Sequence, residues 1–544
     1  MSDAIKKLHQ WIDDIAEALI DNTHFEITHF SFLEHDISLL ASLLDRLEAQ
    51  PQEIGDNEQD YSACLFAFDI CIIQLQAAIE NGYHPAEQRL QQLMTLMADK
   101  LNHTKHSINF WLPLLNAFYE VHIELSDELK DAYVELASVE SPGDADSDVD
   151  QLQLIREMIL ELSDLSVFDI TQHFFAQSHA MPAEFYYDLL YDLFAIDEGH
   201  DIAILCLMHP KADVRAVVME TIDQVIDSLA LSPESLMRLT VIQHWFPASV
   251  QPIFERWIKA QRRQGVMYQP NQHKPKQVKL KASEIDGSGT QVIYISFKEG
   301  KMHHACSVML YYGEGIKDIW FTSSLDASVD IDDIPDSQGL IMRTVDKDYL
   351  QRILNHFLFQ TIALGRMPDI RLMQLQEHLG LNVQPQLLDL DAILDEFGVS
   401  IQPVTQDVIE TSLKSSKHWP YNKAFTEAWY VQDARIDATV NRCCRFEQGV
   451  KMCDKILAKQ QVIDDIFEKQ RDRWLFHFIW HMLWLAAHAK KNERAWQDCF
   501  FIAYEIAQGR RLAEIPIMVA IADETIENSL ETMEERGTYL TRLR

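Results

Sequence analysis

Residues 477–488, HFIWHMLWLAAH, set three histidines and two tryptophans in a run that is otherwise apolar. At roughly 100 degrees per residue a helix brings His477, His481 and His488 within about 40 degrees of one another, with Trp484 on the same side. Phe476, Phe478, Ile479, Met482, Leu483 and Ala486 fill the remaining faces. A helix that is apolar all round belongs in a protein core or in a membrane. This run is shorter than the roughly 18 to 20 apolar residues that a span requires. It therefore reads as a central packed helix whose histidines hydrogen-bond to neighbouring helices. His477 and His481 are close enough to share a metal ion, the competing reading. His488 lies about 10.5 Å beyond His481 and suits a second site.

A helix buried on every side needs other elements around it. The chain has 544 residues, of which 47% are hydrophobic and 24% charged. That length exceeds one ordinary core, so several cores or an extended stack are expected. The 84 acidic residues outnumber the 47 basic ones, giving a net charge of −37. Such a field opposes general attachment to nucleic acid or anionic membranes. The N-terminal MSDAIKKLHQWIDDIAEALI interrupts its apolar positions with charge, unlike a signal peptide. No transmembrane segment and a cytoplasmic location are expected. The eight cysteines, at 64, 71, 206, 306, 443, 444, 453 and 499, contain no CxxC pair and read as free, mostly buried thiols.

Amphipathic patterns fill residues 1–138. In AEQRLQQLMTLMADKL, Leu90, Leu93, Met94 and Met97 recur at helical spacing. Residues 139–150, VESPGDADSDVD, read as an acidic linker. A helical region follows at 151–258. Within it Pro210 opens a helix whose inner face is Val214, Val217, Val218, Thr221 and Val225, and Ser232-Pro233-Glu234 starts the next. The stretch HPKADVRAVVMETIDQV resembles one helix of a HEAT or armadillo-type repeat through its proline, its aspartate, the Val214–Arg215 pair and the apolar spacing that follows. That resemblance implies a helical solenoid of the kind used to bind proteins; Asp213 and Arg215 by themselves read as residues that organise adjacent turns.

Residues 259–287 change character. Lys259, Arg262, Arg263, Lys274, Lys276, Lys279 and Lys281 occur here, and no acidic residue lies between Lys259 and Lys281. Gly265, Pro270 and Pro275 break any long helix, so this is a flexible or extended basic connector. It could contact an acidic protein segment or a phosphate backbone, with Tyr268 as a stacking group. A small β-containing module is expected at 288–345, from the strand-like runs TQVIYISF, HHACSVMLYY and KDIWFT, with glycines 300, 313 and 315 at the turns. Residues 346–544 return to helix.

Four further groups invite chemistry. Glu26 and His29 have the spacing of a di-metal helix, with Glu34 and His35 nearby, but no second ExxH completes the set. His303, His304 and Cys306 lie in the second strand, where alternation puts His304 and Cys306 on one face and His303 on the other. A Cys–His nucleophile would need close contact and an orienting group. Asp326, Asp330, Asp332, Asp333 and Asp336 offer oxygen donors without the order of a calcium loop. GEG at 313–315 lacks the spacing of a phosphate loop, so no cofactor is implied.

The expected fold is mostly α, with stacked helical hairpins or an irregular α-solenoid and a small antiparallel β-containing module. The expected function is an interaction or assembly scaffold with a protein partner. A hydrolase or metal-dependent enzyme around His303/Cys306 or His477/His481, and a nucleic-acid-associated regulator using the basic connector, are the alternatives.

Overall fold

The computed structural model describes residues 3–21, 36–50, 58–80, 83–140, 151–268, 275–325, 341–401, 404–419, 429–447, 450–487 and 495–542. The chain forms two compact units, Met1–Gly199 with Glu535–Arg544, and His200–Glu534. Helices dominate both, and the sheets lie in the second.

The first unit contains α1 (Asp3–Asp21), α2 (Ile37–Glu48), α3 (Glu58–Glu80), α4 (His84–His103), α5 (Ile108–Glu120), α6 (Asp127–Glu140), α7 (Gln151–Glu161), α8 (Val167–Gln177) and α9 (Phe185–Phe194). Local chemistry sets several starts. Asp36 caps α2 by accepting from Ser38 N, and Ser166 with Asp169 forms a reciprocal capping box on α8. The expected stripe on α4 is buried: Leu90, Leu93, Met94 and Met97, extended by Leu101. Arg46 ties α1, α2 and α3 together through Asp13, at 2.6 Å, and Asp60. Gln59–Glu80, nearly all of α3, has the length and hydropathy of a membrane span. Its Cys64, Phe68, Cys71 and Leu75 are nevertheless fully covered by the surrounding helices, as in a core helix.

The second unit begins with α10 (His200–Leu205), α11 (Ala212–Val225), α12 (Pro233–Ile242) and α13 (Gln251–Arg263). The start of α12 is the expected one, with Ser232 capping Ser235 N and Pro233 in the first turn. α11 begins two residues after Pro210, and its buried face is Val214, Val218, Thr221 and Ile222. Val225 lies at nearly the same angle about the axis as Val218 but is the last residue of the helix, and it and Val217 are half-buried, whereas Ile222 is covered. Arg215 donates to the carbonyls of His209 and Pro210, both at 2.7 Å, which fastens the preceding turn.

Next come β1 (Lys276–Ser283), β2 (Thr290–Glu299), β3 (Met302–Tyr311), β4 (Gly315–Ser324) and β5 (Met342–Thr344), an antiparallel sheet of order β4-β3-β2-β1-β5. The three expected strands are β2, β3 and β4. β1 occupies the second half of the segment read as a connector. There Val278, Leu280 and Ala282 alternate with Lys279 and Lys281; Leu280 and Ala282 are buried, while Val278 and the two lysines are half-buried. Glu299 pairs with Met302 across a two-residue turn that Gly300 enters at φ +59°.

The chain continues through α14 (Lys347–Ala363), α15 (Arg371–Leu379), α16 (Leu390–Ile401), α17 (Gln406–Ser416), α18 (Ala434–Arg442), the hairpin β6 (Cys444–Glu447) and β7 (Val450–Cys453), α19 (Lys455–Gln461), α20 (Arg471–Ala486), α21 (Ala495–Ala507) and α22 (Pro516–Arg542). α20 is the histidine-rich run, and every residue from Phe476 to Leu485 is buried. Trp480 and Trp484 fasten it to the sheet by donating to Gln291 Oε1 at 3.2 Å and Ala282 O at 3.1 Å. β4 lies so close to α14 that a Cβ on Gly315 would strike the Thr361 side chain and the Phe357 carbonyl. Gly315 also sits at φ +89°, so glycine is needed there on two counts.

Candidate functional site

The residues singled out by sequence separate into distinct environments. On α20 the His477 and His481 rings lie 4.8 Å apart, enclosed by Trp429, Trp474 and Trp484. Burial holds both imidazoles in the neutral form, pulling His481 down to about 3 and His477 well below its ordinary value, with His481 and Arg473 adding to the latter. His481 Nδ1 contacts the His477 carbonyl of its own helix at 3.3 Å, and indole rings pack against both imidazoles in T-shaped or tilted arrangements. Among the described residues no third His, Cys, Asp or Glu joins this pair as a metal-ligand group. His488 lies outside the described residues, as do Glu26, His29, Glu34, His35 and the aspartates from Asp326 to Asp336.

The basic residues do not form one flexible arm. Lys259, Arg262 and Arg263 belong to α13, whereas Lys276, Lys279 and Lys281 belong to β1, where Lys279 and Lys281 interact within the chain. Lys274 lies outside the described residues. Tyr268 is 38% exposed.

Cys306 and His303 point to opposite faces of β3, so the Cys–His pair is not assembled. Burial pushes the Cys306 thiol well above its ordinary value, and its Sγ lies 3.9 Å from the Ser307 carbonyl. An inert, covered thiol results. His304 shares the inner face and meets different company. Its Nδ1 lies 2.7 Å from Ser323 Oγ, and its ring stacks on Phe297 at 4.7 Å. His378, at the end of α15, sits 4.8 Å from it ring to ring and donates from Nδ1 to Glu299 Oε2 at 2.7 Å. Burial, together with His378, draws His304 down to about 4. Glu299 and His378 were not identified from the sequence; 79 residues separate them, and no local spacing announces the pairing.

A second feature is open to a larger ligand. Asp391, Leu394, Asp395, Gly398 and Val399 form one stripe of α16, while Phe500, Tyr504 and Ala507 form one stripe of α21 that Gln508 continues just past its end. Together with Val404 they line a cleft of about 780 Å³. Its floor is low because α16 carries glycine where another residue would project; a Cβ on Gly398 would meet the Phe500 ring edge at 3.5 Å. Leu394 and Phe500 are buried in the walls, whereas Val399 is 73% exposed at the lip. Asp391 and Asp395 are both exposed, giving the apolar trough an acidic margin.

These features describe a mostly helical protein with a small antiparallel sheet, an imidazole–carboxylate cluster at one end of that sheet, and an open cleft between two C-terminal helices. Residues 391–530, which contain the cleft, match the family model of the Y4lR C-terminal helical domain, and residues 182–265 match that of the Y4lR second domain. The HEAT-like stretch falls inside the second of these. No curated protein and no solved structure matches the chain.

Proposed function

We propose that the protein is an interaction scaffold that seats a helical segment of a partner protein, with apolar anchors and flanking lysines or arginines, in the cleft between α16 and α21. The observation that carries this reading is the pair of facing stripes, at 391/394/395/398/399 and 500/504/507/508. Each has the period of a helix packing against another helix, and between them they leave room for a third. Val399 and Val404, both exposed, supply apolar contact over walls built from Leu394 and Phe500, and Asp391 with Asp395 favours a cationic flank.

The test uses the full-length protein and a fluorescent leucine-striped helical peptide flanked by lysines, compared with its glutamate-flanked counterpart. The lysine peptide is expected to bind more tightly. Asp391→Lys with Asp395→Lys is expected to weaken it about tenfold or more, close to 1.4 kcal/mol. The same charge change on exposed residues elsewhere, Glu234→Lys with Glu255→Lys, is expected to leave it within about twofold. Gly398→Leu, which fills the trough, is expected to abolish binding while thermal unfolding stays cooperative. Equal losses in the two charge-reversed proteins would reduce the effect to general attraction by a polyanion and overturn the proposal.

A further inference from the structure

Glu299 ends β2, His304 lies in β3 and His378 lies in the last turn of α15, and one donor atom from each falls within 4.8 Å of the other two. We infer that these three residues bind one divalent transition-metal ion of the zinc class, with a further coordination position left for water or an added ligand.

Two imidazoles and one carboxylate are donors of intermediate softness. They suit zinc and its neighbours better than magnesium or calcium, which prefer all-oxygen shells. A tetrahedral zinc site spaces its nitrogen and oxygen donors roughly 3.3 Å apart, given bonds of about 2.0–2.1 Å. Closing from the present spacing requires small rotations of the two outer side chains. Those are the two with room to move: the Glu299 side chain is 36% exposed and that of His378 is 26% exposed. His304 is the fixed member. It is 8% exposed, and Ser323 Oγ engages Nδ1 at 2.7 Å, so Nε2 is the nitrogen it can offer an ion. A hydrogen-bonded partner on the non-ligating nitrogen is the usual means of aiming a metal-binding histidine.

Glu299 and His378 are already drawn together by their 2.7 Å hydrogen bond. An ion between them takes the place of this hydrogen bond, and the neutral His378 ring then carries its proton on Nε2. Phe297 and Phe321 flank both imidazoles, with Phe321 stacked on His378 at 5.6 Å and Phe297 on His304 at 4.7 Å. This apolar wall lowers the local dielectric and favours the ion–ligand contacts over hydration. The inference does not depend on the α16–α21 cleft, which involves none of these residues.

The experiment strips the full-length protein with a chelator, re-equilibrates it with Zn²⁺ or Co²⁺, and measures bound metal by mass spectrometry and Co²⁺ coordination by visible absorption. One equivalent is expected, with a spectrum of low coordination number and no thiolate charge-transfer band. Glu299→Gln, His304→Gln and His378→Gln are each expected to weaken binding about tenfold or more. His303→Gln, on the opposite face of the same strand, is expected to match the parent. His378→Gln and Glu299→Gln alter part-exposed side chains, so unfolding curves that overlay the parent's would separate loss of a ligand from loss of fold. Absence of tight metal, an ion held through thiolates, or binding unchanged by all three substitutions would overturn the inference and leave the docking proposal standing.

Discussion

The indole Nε1 of Trp480 in α20 donates to the amide oxygen of Gln291 in β2 at 3.2 Å, inside a core where both residues are fully buried. Tyr349 donates its hydroxyl to the same oxygen at 2.8 Å, and the Gln291 amide nitrogen donates to the Ser283 carbonyl at 2.8 Å. One glutamine thus joins two helices and two strands, and Trp480 also reaches the Tyr349 oxygen at 3.2 Å. Gln291→Leu would strand several polar groups at once and is expected to cost about 2–4 kcal/mol. Tyr349→Phe, which removes a single hydroxyl, is expected to cost about 1 kcal/mol. Urea unfolding followed by tryptophan fluorescence measures both; equal stability of the leucine variant would refute the account.

Acidification should destabilise the fold before most carboxylates titrate. His356 is 4% exposed, and burial lowers it to about 4 from an ordinary 6.5. Its Nδ1 accepts from Leu388 N at 3.2 Å, a bond that needs the neutral ring. The unfolded chain takes up this proton below about pH 6.5 and the folded chain only near pH 4, so stability present above 6.5 is lost as pH falls between those values. The contribution is roughly 3 kcal/mol. His304 and His481 act in the same direction. Chemical unfolding across pH 4 to 7 is expected to show this slope, and His356→Gln should flatten it; an identical slope would reject the assignment.

Arg238, with its side chain 6% exposed, engages Glu377 through two bonds of 2.8 and 3.1 Å and Asp201 at 3.1 Å. Removing the carboxylate leaves a guanidinium short of a partner in the core. Glu377→Ala is therefore expected to cost about 3–5 kcal/mol. The double change Arg238→Met with Glu377→Leu is expected to recover most of that loss, because it removes the buried guanidinium with its bidentate partner, while Asp201, 30% exposed, keeps its bond from Ser232. A double mutant no more stable than Glu377→Ala would show that shape, rather than desolvated charge, governs the contact.

Cys444 and Cys453 stand directly opposite in the β6–β7 hairpin, with their sulfurs 3.1 and 3.8 Å from the same Val440 carbonyl. Opposed residues of an antiparallel pair have Cα atoms about 4.5–5.5 Å apart, within the range a disulfide accepts. Diamide is expected to join these two thiols, losing two hydrogens to the oxidant, while the buried Cys64, Cys206 and Cys499 remain reduced. Peptide mapping under non-reducing conditions reads the linkage. A different pairing, or both thiols still open to alkylation, would contradict the geometry.

Periodicity made much of this architecture legible. The α20 run announced a helix apolar on all sides, the α4 stripe gave its buried residues, and alternation in TQVIYISF and HHACSVMLYY gave adjacent strands and the separation of His304 and Cys306 from His303. β1 was obscured because its lysines dominate the composition of QVKLKAS, although the alternation of Val278, Leu280 and Ala282 was present. β5 has only three residues, too few for a periodic signal. The imidazole–carboxylate cluster was half legible: His304 stood out, but Glu299 and His378 reach it only through the docking of α15 on the sheet. The cleft was hidden for a related reason. A helical stripe declares that a face wants covering, whereas the helices that fail to cover it emerge only from the packing of the whole unit.

The missing side chain at Gly315 lets two polypeptide backbones touch, and the Ile316 amide is capped by the Thr361 hydroxyl at 2.8 Å. With no compressible layer between them, β4 and α14 should open to solvent together rather than one after the other. Deuterium uptake at Ile316 then becomes a clock for that shared opening, slow in the native protein and quickened when a methyl group is wedged in by Gly315→Ala.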